Sequence, residues 1–276
     1  MVIDSQINLS GRLSAIELAE LNEATEGLRA YMVLASAALA GQEDVNEIIN
    51  EFCEKSPKAV GFGVVNPADG EDSATAEKIA RKWNFKGFAL YPVSHGFHPA
   101  DTRAMEVYRF AEANSMPVFF YIPEKLDSTD MLEFGRPYLI DEIARAFPKL
   151  KIVLSSCGMP FVSETVALLA KNRNVYSTLT ITPKRWFRLY TLLLTFFEGN
   201  AINKLLFASN YPEKKPNECI EALLGFNRMI SDTQLPVVPL DALRRIVNAD
   251  AIDLLGIKGS YPDSTASSTP QVESQD

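Results

Sequence analysis

Eight short runs of apolar, β-branched and aromatic residues recur along the chain, at residues 2–8, 28–35, 59–65, 87–92, 117–122, 151–155, 175–181 and 205–209. Several are almost continuously apolar, the pattern of a parallel-sheet strand buried on both faces. Between them the apolar positions take helical spacing. Leu139, Ile140, Ile143, Ala144 and Phe147 form one stripe, and Ile220, Leu223 and Leu224 another. Asp101, ahead of Ala104, Tyr108 and Ala111, has the short acceptor side chain of an N-cap, and Asn84 with Gly87 closes the helix before the fourth strand. Strand then helix, eight times over, predicts an α/β fold of the (β/α)8 TIM-barrel kind. An open doubly wound sheet would need fewer strands and a glycine-rich first turn. Gly61-Phe62-Gly63 lies inside a strand and lacks the third glycine, so no dinucleotide site is expected.

A length of 276 residues suits one such barrel. The barrel is placed at residues 1–258 as a single domain. Residues 259–276, GSYPDSTASSTPQVESQD, are polar, hold two prolines and have little to bury, so they read as a disordered tail.

Charge and cysteine content narrow the setting. The net charge is −8, from 27 basic and 35 acidic residues, which favours solubility and argues against nucleic acid or an anionic membrane as a partner. The opening MVIDSQINLSGR has neither a basic region nor a long apolar core, and the apolar stretch 186–197 is broken by Arg188 and is too short to span a bilayer. Cys53, Cys157 and Cys219 lie far apart and form no CxxC, so reduced thiols in a cytoplasmic protein are expected.

Several segments, in this order, resemble the amidohydrolase-related family, the amidohydrolase 2 branch of metal-dependent hydrolases and decarboxylases. They are VGFGVVNPADG (60–70), FKGFALYPVSHGFHPAD (85–101), FGRPYLIDEIARAFPKLKIVLSSCGMPFVSE (134–164), KNRNVYSTLTI (171–181), KLLFASNYP (204–212) and the closing NADAIDLLGI (248–257). The resemblance implies one divalent metal, usually zinc, at the C-terminal mouth of the barrel. Its ligands would be an HxH pair ending the first strand, a His ending the fifth, a His ending the sixth near the metal-bound water, and an Asp ending the eighth. This chain departs from that pattern throughout. Gln6 and Asn8 stand at the HxH, Tyr121 at the fifth-strand His, Ser156 at the sixth, and Asn210 at the Asp. Amides and hydroxyls bring no charge to offset a dication and are weak donors to zinc, so the family's zinc is expected to be absent. Asn210 also cannot act as a carboxylate base.

Other residues carry weaker signals. His95 and His98, in HGFH after the fourth strand, are the only histidines; they could bind a metal or shuttle a proton, or simply be polar loop residues. Cys157 could be a nucleophile, but if Ser156 faces the lumen, strand alternation turns Cys157 towards the helices. Lys184-Arg185-Trp186 could meet an acidic ligand or merely begin a helix. Arg136 and Asp141 match family positions expected to be architectural. Tyr91, Tyr121 and Tyr211 all fall at strand ends and are candidates for one pocket.

Two functional classes follow. The first is a pseudoenzyme: a non-catalytic member whose polar pocket, at Gln6, Asn8, Tyr121, Ser156 and Asn210, binds a small molecule, or which partners a copy of itself or a metal-bearing relative. The second is a metal-independent hydrolase or lyase acting on a small carboxylated or cyclic compound, with His95, His98 or Tyr121 as acid or base. The first is favoured, because no nucleophile–base constellation can be assembled from these residues.

Overall fold

The computed structural model describes residues 2–259 and Tyr261. Eight strands follow one another in chain order: β1 (Val2–Leu9), β2 (Leu28–Ala35), β3 (Ala59–Val64), β4 (Gly87–Leu90), β5 (Val118–Phe120), β6 (Ile152–Leu154), β7 (Val175–Thr180) and β8 (Leu205–Ala208). Each pairs in parallel with the next. Parallel neighbours need a crossover, and helices supply it, from Ala15–Ala24 after β1 to Trp186–Glu198 after β7. The result is the (β/α)8 barrel that the alternation predicts.

The apolar runs are strands buried on both faces: every residue of β4, β7 and β8 is buried. Gly61 and Gly63 back onto the Phe85 ring outside the barrel, so Phe62 between them points inward. There it meets Phe119 of β5 edge-on, ring centres 4.8 Å apart. Such a pair contributes about 1 kcal/mol beyond its area burial. Gly87 opens β4 because a Cβ there would stand 2.4 Å from both the Phe62 ring and the Pro117 carbonyl.

β5 and β6 are shorter at both ends than the apolar runs suggest. β5 begins after Pro117, which has no N–H to give a ladder. At its other end a side chain replaces backbone pairing: the Ser155 hydroxyl accepts from Ile122 N at 2.7 Å and donates to Ile122 O at 3.2 Å. The helix stripes hold at Tyr138–Ala146, where Ile140, Ile143 and Ala144 are buried. In Pro216–Leu224 the buried face is Cys219, Ala222 and Leu223 instead, and Leu224 is exposed. Asp101 caps its helix through Arg103 N at 2.9 Å.

The barrel closes between β8 and β1 without a full ladder. Asn210 N donates to Gln6 O (3.1 Å), Asn8 N to Tyr211 O (2.8 Å), and Ile7 pairs with Tyr211 in a single parallel bridge. The helix Leu240–Asn248 covers this seam with Ala242, Leu243, Ile246 and Val247. The expected tail lies outside the described residues except for Gly259 and Tyr261, and Tyr261 is half-buried against the core. Among the described residues no helix is long and apolar enough to cross a membrane.

Candidate functional site

The C-terminal ends of the strands gather at one end of the barrel, where this fold carries its chemistry. On the way there β1 has one residue more than β2 over one interval, since Asp4 pairs with Tyr31 but Ile7 with Val33. This bulge lies at Ser5 and Gln6 and re-aims the strand end. The buried Gln6 side chain accepts from the Thr178 hydroxyl at 2.8 Å and donates to Asn210 Oδ1 at 3.3 Å. Asn8 Nδ2 donates to the same oxygen at 2.5 Å. Thr178 Oγ1 accepts from Ser156 N at 2.9 Å. Gln6, Asn8, Ser156 and Asn210 thus belong to one network that ties β1, β7 and β8 to the end of β6. Thr178, missed in the sequence, is its hub; a buried polar residue in a strand is the signal that could have found it.

Asp4 was missed as well. It is wholly buried two residues before Gln6, and its Oδ1 accepts from Gln6 N and Ser209 N at 3.1 Å each. Burial pushes its carboxyl up to about 6, against the opposing pull of those hydrogen bonds from Ser209 and Gln6. Asp4 therefore fastens the β1–β8 seam beneath the amides.

The alternation argument for Cys157 does not apply, because the strand has already ended at Leu154. Ser156, Cys157 and Gly158 all take left-handed backbone, with φ of 50°, 58° and 63°. For the two non-glycine residues this costs about 1–2 kcal/mol each. The turn buries both side chains. Cys157 Sγ donates to Thr178 O at 3.6 Å, and burial pushes the thiol up to about 12, so it stays protonated and unreactive. Ser156 Oγ is buried without a partner among the described residues, as is Asn8 Oδ1. Asn210 is left-handed too, with φ 62°, a conformation asparagine tolerates.

Tyr121 makes no side-chain hydrogen bond to that network among the described residues and packs in a stack of rings instead. Its ring lies 4.8 Å from that of Tyr91, which lies 5.4 Å from the His95 imidazole. Burial, with Glu124 and Glu213 adding to it, raises the Tyr121 phenol above its ordinary range. Tyr91 is fully buried and donates to Ala35 O at 2.7 Å, so its hydroxyl is committed to the scaffold. His95 ends a short helix, Pro92–His95; burial lowers its imidazole below the ordinary range, opposed by Asp69 and the Ala40 backbone. His98 stands apart from this stack: it is exposed, and its Nδ1 accepts from Ala100 N at 3.0 Å, which fixes the loop. Tyr211 contributes its backbone to the seam. Lys184 and Arg185 are exposed just before the helix Trp186–Glu198. Arg136 pairs with Glu164 and Asp141 with Lys171, both between elements rather than in the mouth.

The donor set was compared with what zinc requires. Among the described residues there is no group of three or more His, Cys, Asp or Glu placed to hold an ion. Two of the three amide oxygens at these positions already accept, Gln6 Oε1 from Thr178 and Asn210 Oδ1 from two amides; the third, Asn8 Oδ1, is a single neutral donor. These residues do not fit a divalent metal.

A family model described as amidohydrolase matches residues 15–257. The chain belongs to the amidohydrolase family. That match begins after β1, so the correspondence of Gln6 and Asn8 with the metal-binding pair rests on barrel topology, in which the end of β1 meets the end of β8. An uncharacterised TIM-barrel protein from Bordetella bronchiseptica superposes with a TM-score of 0.66 at 18% identity, covering 92% of this chain and 98% of that one. A probable 2-pyrone-4,6-dicarboxylic acid hydrolase from Acinetobacter baumannii, with citric acid bound, gives 0.61 at 13%, covering 93% and 99%. The 5-carboxyvanillate decarboxylase of Sphingomonas paucimobilis gives 0.63 at 12%, also covering 93% and 99%. At these identities the likeness is one of fold. Among curated proteins none matches this chain.

Proposed function

We propose that this amidohydrolase-family barrel is a non-catalytic member that holds no metal and uses its mouth to bind a small polar molecule. The observation that carries the reading is the shared acceptor at Asn210 Oδ1, whose lone pairs go to the Gln6 and Asn8 amides. Two buried atoms beside it, the Ser156 hydroxyl and Asn8 Oδ1, stand without partners among the described residues. A ligand offering one acceptor and one donor would satisfy both, which is the usual reason such atoms persist in a buried site. The family, and neighbours whose names specify carboxylated aromatics or a pyrone dicarboxylate, make a small carboxylated or cyclic compound the class to screen first. A complex with a metal-bearing relative is the other non-catalytic role in keeping with this site.

A second reading, metal-independent hydrolysis or decarboxylation, is favoured by one observation, the contiguous stack His95–Tyr91–Tyr121. A single screen separates the two. Purified protein is titrated with small aromatic carboxylates and lactones, and both binding and turnover are followed. Saturable binding without turnover is the expected result. Turnover that disappears in Tyr121→Phe or His95→Gln, with the fold intact, would establish the second reading and overturn the first.

A further inference from the structure

A second cavity lies at the other end of the barrel and takes no part in the mouth. Its volume is about 600 Å³, within the range of roughly 300–1,000 Å³ typical of small-molecule sites. It opens between the helix Val45–Lys55 and the end of the helix Ser73–Lys82, where the chain enters β3 and β4. This is the N-terminal face of the barrel, where catalysis is not expected and binding alone can operate.

The floor is Gly61 of β3. A Cβ at this position would stand 2.8 Å from Cys53 Sγ and 3.0 Å from the Phe85 ring, so the absence of a side chain lets both pack close over the strand beneath the cavity. One wall is aromatic: Trp83, half-buried, is tilted 38° against Phe85 with ring centres 5.8 Å apart. Tyr261 contributes to the cavity from beyond the last helix and is half-buried.

Charge in the cavity is unbalanced. Lys82 and Lys86 both line it, and neither pairs with a carboxylate among the described residues. The Lys82 ammonium sits 4.4 Å from the centre of the Trp83 ring, and Lys86 Nζ donates to Asn84 Oδ1 at 2.6 Å. The single acid, Glu54, accepts from Asn50 at 2.9 Å across the cavity from the lysines' helix end. Burial holds the Cys53 thiol protonated, so it adds no negative charge.

We propose that this cavity binds a planar anion, an aromatic ring bearing a carboxylate or a phosphate, with the ring against Trp83 and the anionic group at Lys82 and Lys86. The aromatic wall of Trp83 and Phe85 suits a ring; the two ammonium groups without a carboxylate partner suit one or two negative charges. This site is independent of the barrel-mouth reading, and either can fail alone.

The test uses the full chain with Trp186→Phe, which leaves Trp83 as the only indole, since the sequence holds 2 tryptophans. Benzoate, phenyl phosphate and neutral benzamide are titrated while Trp83 fluorescence is read. Saturable quenching by benzoate or phenyl phosphate, about tenfold tighter than by benzamide, is expected, and the stronger of the two anions identifies the headgroup. Lys82→Glu with Lys86→Glu, the first exposed and the second half-buried, should weaken the anions about tenfold and leave benzamide unchanged. Quenching that never saturates, that is equal for benzamide, or that survives both lysine changes would overturn the proposal.

Discussion

The side-chain amide of Asn8 donates to the side-chain oxygen of Asn210 at 2.5 Å, joining the end of β1 to the end of β8. Gln6 donates to the same oxygen. A metal would need the lone pairs of these strand ends aimed at one point; here Asn210 Oδ1 is taken by two amide N–H groups and Gln6 Oε1 by the Thr178 hydroxyl. The three amide side chains form a clasp at the seam between β8 and β1, where the described residues have a single bridge and no continuous ladder.

Removing the shared acceptor should therefore weaken the fold. Asn210→Ala leaves two buried amide donors unmatched and places alanine at φ 62°. A loss of about 2–4 kcal/mol is expected from unmatched donors plus left-handed strain. Urea unfolding followed by far-UV circular dichroism measures it; a loss below about 0.5 kcal/mol would mean that the clasp contributes little.

Asn210→Asp should behave differently. The carboxylate keeps both acceptor interactions, and charge-assisted hydrogen bonds offset part of its burial. Stability is expected to stay within about 1–2 kcal/mol of the parent. Zinc added to this variant should still not bind stoichiometrically, because Gln6, Asn8, Tyr121 and Ser156 remain poor donors. Isothermal titration of zinc into the variant reads this directly.

Asp4 makes stability depend on pH. Its folded value is raised to about 6 from 3.8, so between those limits the folded chain keeps a proton that the unfolded chain has lost. Stability from this group is full below the unfolded value and falls as pH rises towards the folded one, by about 2–3 kcal/mol in all. Asp4→Asn abolishes that term. The variant should gain on the parent steadily between pH 4 and 7 in urea midpoints; parallel curves would show that the carboxyl is not raised.

Ser156→Gly should be neutral or stabilising. It relieves left-handed backbone at φ 50° and removes a buried hydroxyl without a partner, effects worth about 1–2 kcal/mol together. Thermal melts compare the two proteins. If the mouth ligand uses this hydroxyl, the same variant binds it more weakly while melting no lower.

The barrel was legible because its strands are buried on both faces. Residues 28–35 are apolar apart from Arg29, and β2 occupies that range. The ends of β5 and β6 were less legible, since the trimming comes from Pro117 and from a hydroxyl, Ser155, that bonds across to Ile122. At the mouth, the family resemblance grouped Gln6, Asn8, Tyr121, Ser156 and Asn210; the hydrogen bonds join four of them, and Tyr121 packs on Tyr91 instead. The pairing with Thr178 and the role of Asp4 were not legible, because both depend on a one-residue bulge in β1 that no periodicity reveals. The alternation argument for Cys157 loses its basis for a related reason, although the residue is buried as expected. Alternation holds only inside a strand, and three successive left-handed residues lie beyond the end of β6.

Metal content of the purified full-length chain tests the central claim most directly. Protein purified without chelators, dialysed against zinc and then desalted, is measured by inductively coupled plasma mass spectrometry. The clasp between Asn8, Gln6 and Asn210 predicts zinc and other divalent transition metals well below one atom per chain, unchanged in Asn210→Ala. One tightly held atom per chain, lost in Asn210→Ala, would contradict it.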